Sequence, residues 1–354
     1  MKDPSRSVKI LKTTWIKDQA GLWRINELRE LELRPRSGYT NQYFKINNDT
    51  ISLPKAQRPA PLEFFSLFGT PEFVLRQSIV PIVAWNDGDD EVKCIGTGFF
   101  ISTTGHLMTA AHVSLDPVDG KYTSVTEVDE ASQTLGSTLQ FGILLPANPA
   151  IKSAPFEIQP PIIREANCFF CSFEWTQHWK SKVDSPFPFQ KPEFDLSHDI
   201  SICKVKEQPI LGPFQPLNIG RHNLRIGDRA VAIGYPEMRN FRMKGDNYQP
   251  ELMVSIGSVT KVIRDNLTSK QNSTPGPNFE FSAKIPGKMS GSPILVGDGI
   301  LAKGIVSRSW QDEDHASGCL IAPMFSLNVG RGESLLRLMK SGNAGIPELS
   351  GPDL

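Results

Sequence analysis

Three short segments of this 354-residue chain carry side chains that could perform nucleophilic chemistry together. GTGFFISTTGHLMTAAHVSL places His112 after a turn of small residues. LSHDISICKV places Asp199 at the mouth of an apolar strand, and PGKMSGSPILV places Ser290 in a Ser-Gly-Ser-Pro turn before another. A serine hydroxyl is a poor nucleophile at neutral pH and needs a base within hydrogen-bond reach, a role that suits imidazole. The imidazole in turn needs a carboxylate on its other nitrogen, to fix the tautomer and stabilise the imidazolium. Small residues around the serine let backbone N–H groups approach a developing oxyanion. Asp195 rivals Asp199 as the acid, and Ser292 rivals Ser290 as the nucleophile. The Ile-Ser-Ile-Cys-Lys-Val run directly after Asp199 and the glycine directly after Ser290 favour the first of each pair. Taken singly, each residue also has an ordinary structural reading: a buried histidine, a strand cap, a turn serine.

Residues of this kind must be held by rigid elements, and the surrounding texture is that of a β protein. SIVPIVAW, CIGTGFFIS, HLMTAAHV, DISICKV, RAVAIGY, LMVSIGSVTKVI, SPILV and AKGIVSRS are short β-branched runs bounded by Gly, Pro, Asn or Asp. Many short strands with turn signals between them predict a sandwich or barrel. With 28 Gly and 28 Pro, the composition favours turns over a helical bundle. The length allows about two domains. Residues 1–75 read as an N-terminal extension, in which Leu22, Ile25, Leu28 and Leu31 recur every third residue and predict one short amphipathic helix. That extension reads equally as a pro-region, a docking arm or an elaborated first strand layer. Residues 76–327 read as the main domain, with 114–195 as a long Pro-rich insertion between two core strands. Residues 328–354 read as a tail holding one short helix, GESLLRLMKSG.

The three segments, in the order His, Asp, Ser, resemble the chymotrypsin-fold (trypsin-like) serine proteases, and the HtrA-type branch more than the pancreatic type. TAAHV resembles the catalytic-histidine motif, HDISICKV the D-I-A-L-L-K aspartate strand, and SGSP the S-G-G-P nucleophile turn. LNIGRHNLRIGDRAVAIGYP, SIGSVTKVI and GILAKGIVSRS followed by GCLIAP resemble further strands of that family. The resemblance spans 76–327 and implies an all-β fold of two antiparallel six-stranded barrels with the site between them. It implies His112, Asp199 and Ser290 as catalytic residues, with the N–H groups of Lys288 and Ser290 as the oxyanion hole. It places Lys284, Ser307 and Arg308 around the specificity pocket, where two cations predict a preference for acidic or polar residues before the scissile bond. It also implies a serine endopeptidase acting on polypeptides, with no PDZ domain in the 27 residues after Leu327.

Two departures stand out. Lys288 occupies the place of a family glycine whose backbone conformation is costly for other residues. This predicts a resting loop relaxed away from that conformation, and a latent enzyme awaiting an activating partner protein. Met289 stands where digestive members have an aspartate that pairs with a freed N-terminus. A protease-like module that binds without cutting, in a stress or defence complex, is the alternative. The net charge is +0, with 38 Lys+Arg against 38 Asp+Glu, which predicts no nucleic-acid partner. No apolar run reaches membrane-spanning length and the N-terminus carries no signal core, so no membrane partner and a cytoplasmic location are expected. Five irregularly spaced cysteines predict reduced thiols. Cys168 and Cys171, with His178 and His198, have zinc-type donors. A single CxxC is a weak zinc signal, though, and buried apolar thiols explain it better. No cofactor or metal is expected.

Overall fold

In the computed structural model, the described residues are 8–17, 19, 22–33, 50–52, 72–86, 90–115, 126–127, 132–134, 139–146, 162–163, 168–183, 193–206, 213–236, 241–242, 252–268, 270–296, 301–310, 314–329 and 332–341. Fifteen strands carry the argument. An N-terminal part holds β1 (Val8–Lys17), β2 (Trp23–Leu33) and β3 (Thr50–Ser52). The first barrel is β4 (Ile79–Asn86), β5 (Glu91–Phe100), β6 (His106–Thr109), β7 (Leu139–Pro146), β8 (Cys168–Gln177) and β9 (Ser201–Val205). These run β9-β6-β5-β4-β7-β8, and β8 pairs back to β9 to close the barrel. The second barrel is β10 (Arg229–Gly234), β11 (Met253–Ile263), β12 (Asn278–Ser282), β13 (Pro293–Val296), β14 (Leu301–Ser309) and β15 (Ala316–Leu320). Its order is β10-β13-β14-β15-β12-β11, closed by β11 on β10. The two closed, antiparallel six-stranded barrels implied by the resemblance are therefore present.

The apolar runs are nearly continuous because the strands at the junction are buried on both faces. On β10, Ala230 and Ala232 fill the second barrel, while Val231 and Ile233 join a core shared with the first. On β4, Val80, Ile82 and Ala84 fill the first barrel, and Ile79 and Val83 face the shared core. A strand alternates sides at every residue, so burial of both faces requires hydrophobic side chains at both parities. This shared core fixes the two barrels against each other, and the seam between them is where the site lies.

Two expectations are corrected. The stretch 114–195 is not an insertion outside the core, because it supplies β7 and β8, two of the six strands of the first barrel. Its Pro-rich segments obscured LQFGILLP and CFFCSFEWTQ, which carry the β pattern. The run from Leu22 to Leu33 is not a helix either: Trp23–Leu33 pairs antiparallel with Val8–Lys17. A spacing of three is close to helical, but a hairpin partner directly upstream overrides so weak a periodicity. The extension is tied down at its turn. Leu22 is buried, and the Gln215 side chain accepts from Trp23 N (2.7 Å) and donates to Trp23 O (3.1 Å). Gln215 lies in the connection between the barrels. The short C-terminal helix is present as α3 (Leu335–Ser341), after α1 (Glu72–Ser78) and α2 (Ala111–Leu115), and its Leu335 and Met339 enter the shared core. Among the described residues, no helix is long and apolar enough to cross a membrane.

Candidate active site

His112 sits on α2, the single helical turn that follows β6, and Asp199 sits just before β9. β6 and β9 are paired, Ser201 opposite Thr109, so one ladder sets the spacing of the two residues. Asp199 is buried at 2% exposure and grips His112 twice. His112 Nδ1 lies 2.8 Å from Oδ2 and 3.0 Å from Oδ1, and His112 N–H donates to Oδ1 at 3.0 Å. The ring and its own backbone are thus held by the same carboxylate. Asp195 plays no part in this, because its oxygens accept from Leu196 N and Lys270 N.

The second barrel completes the arrangement. Ser307 Oγ, fully buried on β14, donates a short hydrogen bond to Asp199 Oδ2. The Ser307 carbonyl accepts from Ser290 Oγ at 3.1 Å. The Ser290 loop is clasped from the first barrel, with Thr97 N–H donating to Ser290 O at 2.9 Å. Gly291 has φ 86°, and a Cβ there would stand 2.1 Å from Thr97 O and 3.0 Å from Ala110 N. Only glycine lets the Ser290 loop approach the turn that carries His112 this closely. Met289 is fully buried in the core of the second barrel and anchors the loop from below.

A profile of the family described as "Trypsin-like peptidase domain" matches residues 96–301, more than half of the chain and all three residues above. The chain belongs to this family. Similar solved structures include Deg5, at 16% identity and a TM-score of 0.41 over 71% of this chain and 88% of that one. Another is the Rv3671c protease from M. tuberculosis in its active form, at 18% identity and a TM-score of 0.37 over 71% and 78% of the two chains. A search of curated proteins found no match.

Within this trypsin-like peptidase domain, the other expected site residues are placed as follows. Lys288 has φ 67°, and among the described residues it is the one non-glycine with positive φ. The expectation of a loop relaxed away from the glycine-like conformation is therefore overturned. Neighbouring contacts outweigh a left-handed cost of ~1–2 kcal/mol. Ser307 turns its hydroxyl to Asp199, behind the histidine. Lys284 and Arg308 are exposed, and the Lys284 carbonyl accepts from Ser255 Oγ. Thr97 escaped notice in the sequence although it sits in the GTG of the histidine segment. Its signal was one hydroxyl between two glycines.

Of the candidate zinc donors, the Cys168 side chain lies outside the described residues. Among the described residues no three His, Cys, Asp or Glu side chains are grouped to hold a metal. Cys171 lies in the first-barrel core, where burial pushes its thiol up to about 12. His198 Nδ1 bonds Ser197 Oγ, and burial lowers its pKa to about 4.

Burial likewise lowers the pKa of His178 to about 4, with Lys180 adding to the shift and Asp199 opposing it. Its Nδ1 is buried without a partner among the described residues. A histidine held neutral in the fold but titrating near 6.5 when unfolded contributes stability above that pH. The contribution is lost as pH falls through the folded value. Stability should thus decline from about pH 6.5 to 4, with His178 steepening the slope by at most ~1.4 kcal/mol per pH unit. Denaturant melts across this range should show a shallower decline for His178→Gln. Equal slopes in the two proteins would contradict the assignment.

Proposed function

We propose that the protein is a serine endopeptidase that cleaves polypeptides through an acyl-enzyme. The observation that carries the reading is the buried Asp199 carboxylate, which joins His112 of one barrel to Ser307 and, through it, to Ser290 of the other. Burial alone would raise the pKa of Asp199. The His112 charge, with hydrogen bonds from His112 and Ser307, outweighs this and brings it down to about 2. The carboxylate is therefore ionised at every working pH and holds Nδ1 protonated, leaving Nε2 as the base. Ser290 Oγ turns from the Ser307 carbonyl to His112, loses its proton to Nε2 and attacks the scissile carbonyl. The N–H groups of Ser290 and Lys288 receive the oxyanion. His112 then protonates the leaving amine, and water resolves the ester by the reverse proton path. No cofactor enters.

The resemblance to the HtrA-type branch belongs to this proposal, as does a reducing, cytoplasmic setting. The latter is supported by Cys171, Cys203 and Cys319, all buried free thiols. A peptide substrate is supported by β14. Its pairing with β13 ends at Ile305, while residues up to Ser309 still pair with β15 on the other side. An extended peptide can add as a strand along that edge, beside Ser290. Lys284 and Arg308, both exposed, support a preference for acidic side chains near the scissile bond. A peptide-library profile should show Asp or Glu enriched before the cleaved bond. A profile dominated by Arg or Lys there would reject the preference.

The second reading, a module that binds without cutting, is favoured by one observation: Ser290 Oγ donates to Ser307 O in this structure. A fluorophosphonate probe separates the two readings, because it labels only an activated serine.

A further inference from the structure

The left-handed Lys288 is held against its own preference, and one contact that holds it is a hydrogen bond from Thr97 of the first barrel. Thr97 lies on β5, where the strand passes from one neighbour to another. β5 pairs with β6 at Phe99 and Phe100, so at Thr97 the backbone is released from that ladder. Its N–H goes instead to Ser290 O, and its carbonyl accepts from Thr109 Oγ1 at 2.7 Å. The side chain is fully buried. A hydroxyl has one proton and two lone pairs. Tyr235 N–H donates to Thr97 Oγ1 at 3.0 Å, and Thr97 Oγ1 donates to Lys288 O at 3.3 Å. Tyr235 is itself fixed, its hydroxyl donating to Ile79 O at 3.1 Å. Because a β-branched side chain is stiff about χ1, the Thr97 oxygen is held between these two partners.

We propose that Thr97 is a positioning residue for the oxyanion loop: its hydroxyl holds the Lys288 carbonyl, and so keeps Lys288 in the left-handed conformation that sets both amides of the hole. The proposal rests on the protease reading above and deepens it. Rotating Lys288 out of the left-handed region swings its carbonyl away from Thr97. A neutral hydrogen bond and the left-handed penalty of a non-glycine residue are of the same order, so losing the first releases the second. Glycine at position 288 would carry no such penalty and would not need the hydroxyl.

The test compares Thr97→Val, Thr97→Ser, Lys288→Gly and Thr97→Val with Lys288→Gly, all in the full chain. Peptide kcat and fluorophosphonate labelling should fall about 10- to 100-fold in Thr97→Val, reaching at most the lower bound of about 100-fold for outright loss of an oxyanion donor, with KM changed less than about twofold. Thr97→Ser keeps the hydroxyl and should stay within about threefold of the parent. In the Lys288→Gly background, Thr97→Val should cost less than about threefold, which a general loss of packing would not produce. Rates are normalised to the folded fraction from melts, since Thr97→Val also leaves Tyr235 N–H without its acceptor. An equal loss in both backgrounds, or no loss in either, overturns the inference. Crystals of the parent and of Thr97→Val read the loop independently of activity. Lys288 should stay near φ 67° in the parent and leave the left-handed region in the variant. Lys288 left-handed in both overturns the inference. A parent that neither labels nor cuts, yet shows this loop difference, overturns the protease reading instead.

Discussion

Ser290→Ala should abolish covalent labelling and lower peptide hydrolysis by about 10⁶, the loss seen when a triad serine is removed from a serine protease. The effect is large because no neighbour can replace the nucleophile. Ser292 is two residues on, but it is fully buried, with its N–H bonded to Met289 O. Ser201 is equally buried, its hydroxyl donating to Gln177 O. The fold should survive, because the half-buried Ser290 contributes one side-chain hydrogen bond, to the Ser307 carbonyl. Its loss costs about 1 kcal/mol. Hydrolysis assays on the purified variant, with a melt as a folding control, check this. A Ser290→Ala protein as active as the parent would remove Ser290 from the mechanism.

Asp199→Asn should lower kcat by roughly 10⁴. Asp199 accepts from His112 N, His112 Nδ1 and Ser307 Oγ, so three donors point at two oxygens. An amide offers one oxygen and brings two N–H donors into the same space. The imidazole must then present an unprotonated Nδ1, which puts the proton on Nε2 and leaves no base facing the serine. Stability changes with it. The native carboxylate, lowered to about 2, contributes stability that is complete above the unfolded pKa of about 3.9 and lost as pH falls through about 2. The variant should lack that acid-side dependence. A variant with kcat within tenfold of the parent would show that Asp199 does not set the tautomer.

Much of this site was legible because its parts are local. TAAHV, HDISICKV and SGSP each mark a residue at the end of a strand, and the strand carries its own period-two signature. The choice of Asp199 over Asp195 likewise rested on the strand that follows directly. What stayed hidden depends on contacts between distant segments. The bond from Ser307 to Asp199 was not legible, because position along β14 does not reveal which way a side chain turns. Only the packing of the second barrel against Asp199 decides it. Thr97 was hidden for the same reason, since its partners lie 138 and 191 residues away. Lys288 was misjudged because its intrinsic preference was weighed without the loop contacts that override it. β7 and β8 were hidden by the proline-rich chain around them, and barrel closure is a property of the whole sheet.

The central claim is that Ser290 is an activated nucleophile. Its most direct test is intact-mass analysis of the full chain after exposure to a fluorophosphonate, followed by mapping of the modified peptide. One adduct per chain, located on Ser290 and absent from His112→Ala, is the predicted result. A folded protein that acquires no adduct, or acquires it at another residue, would contradict the account.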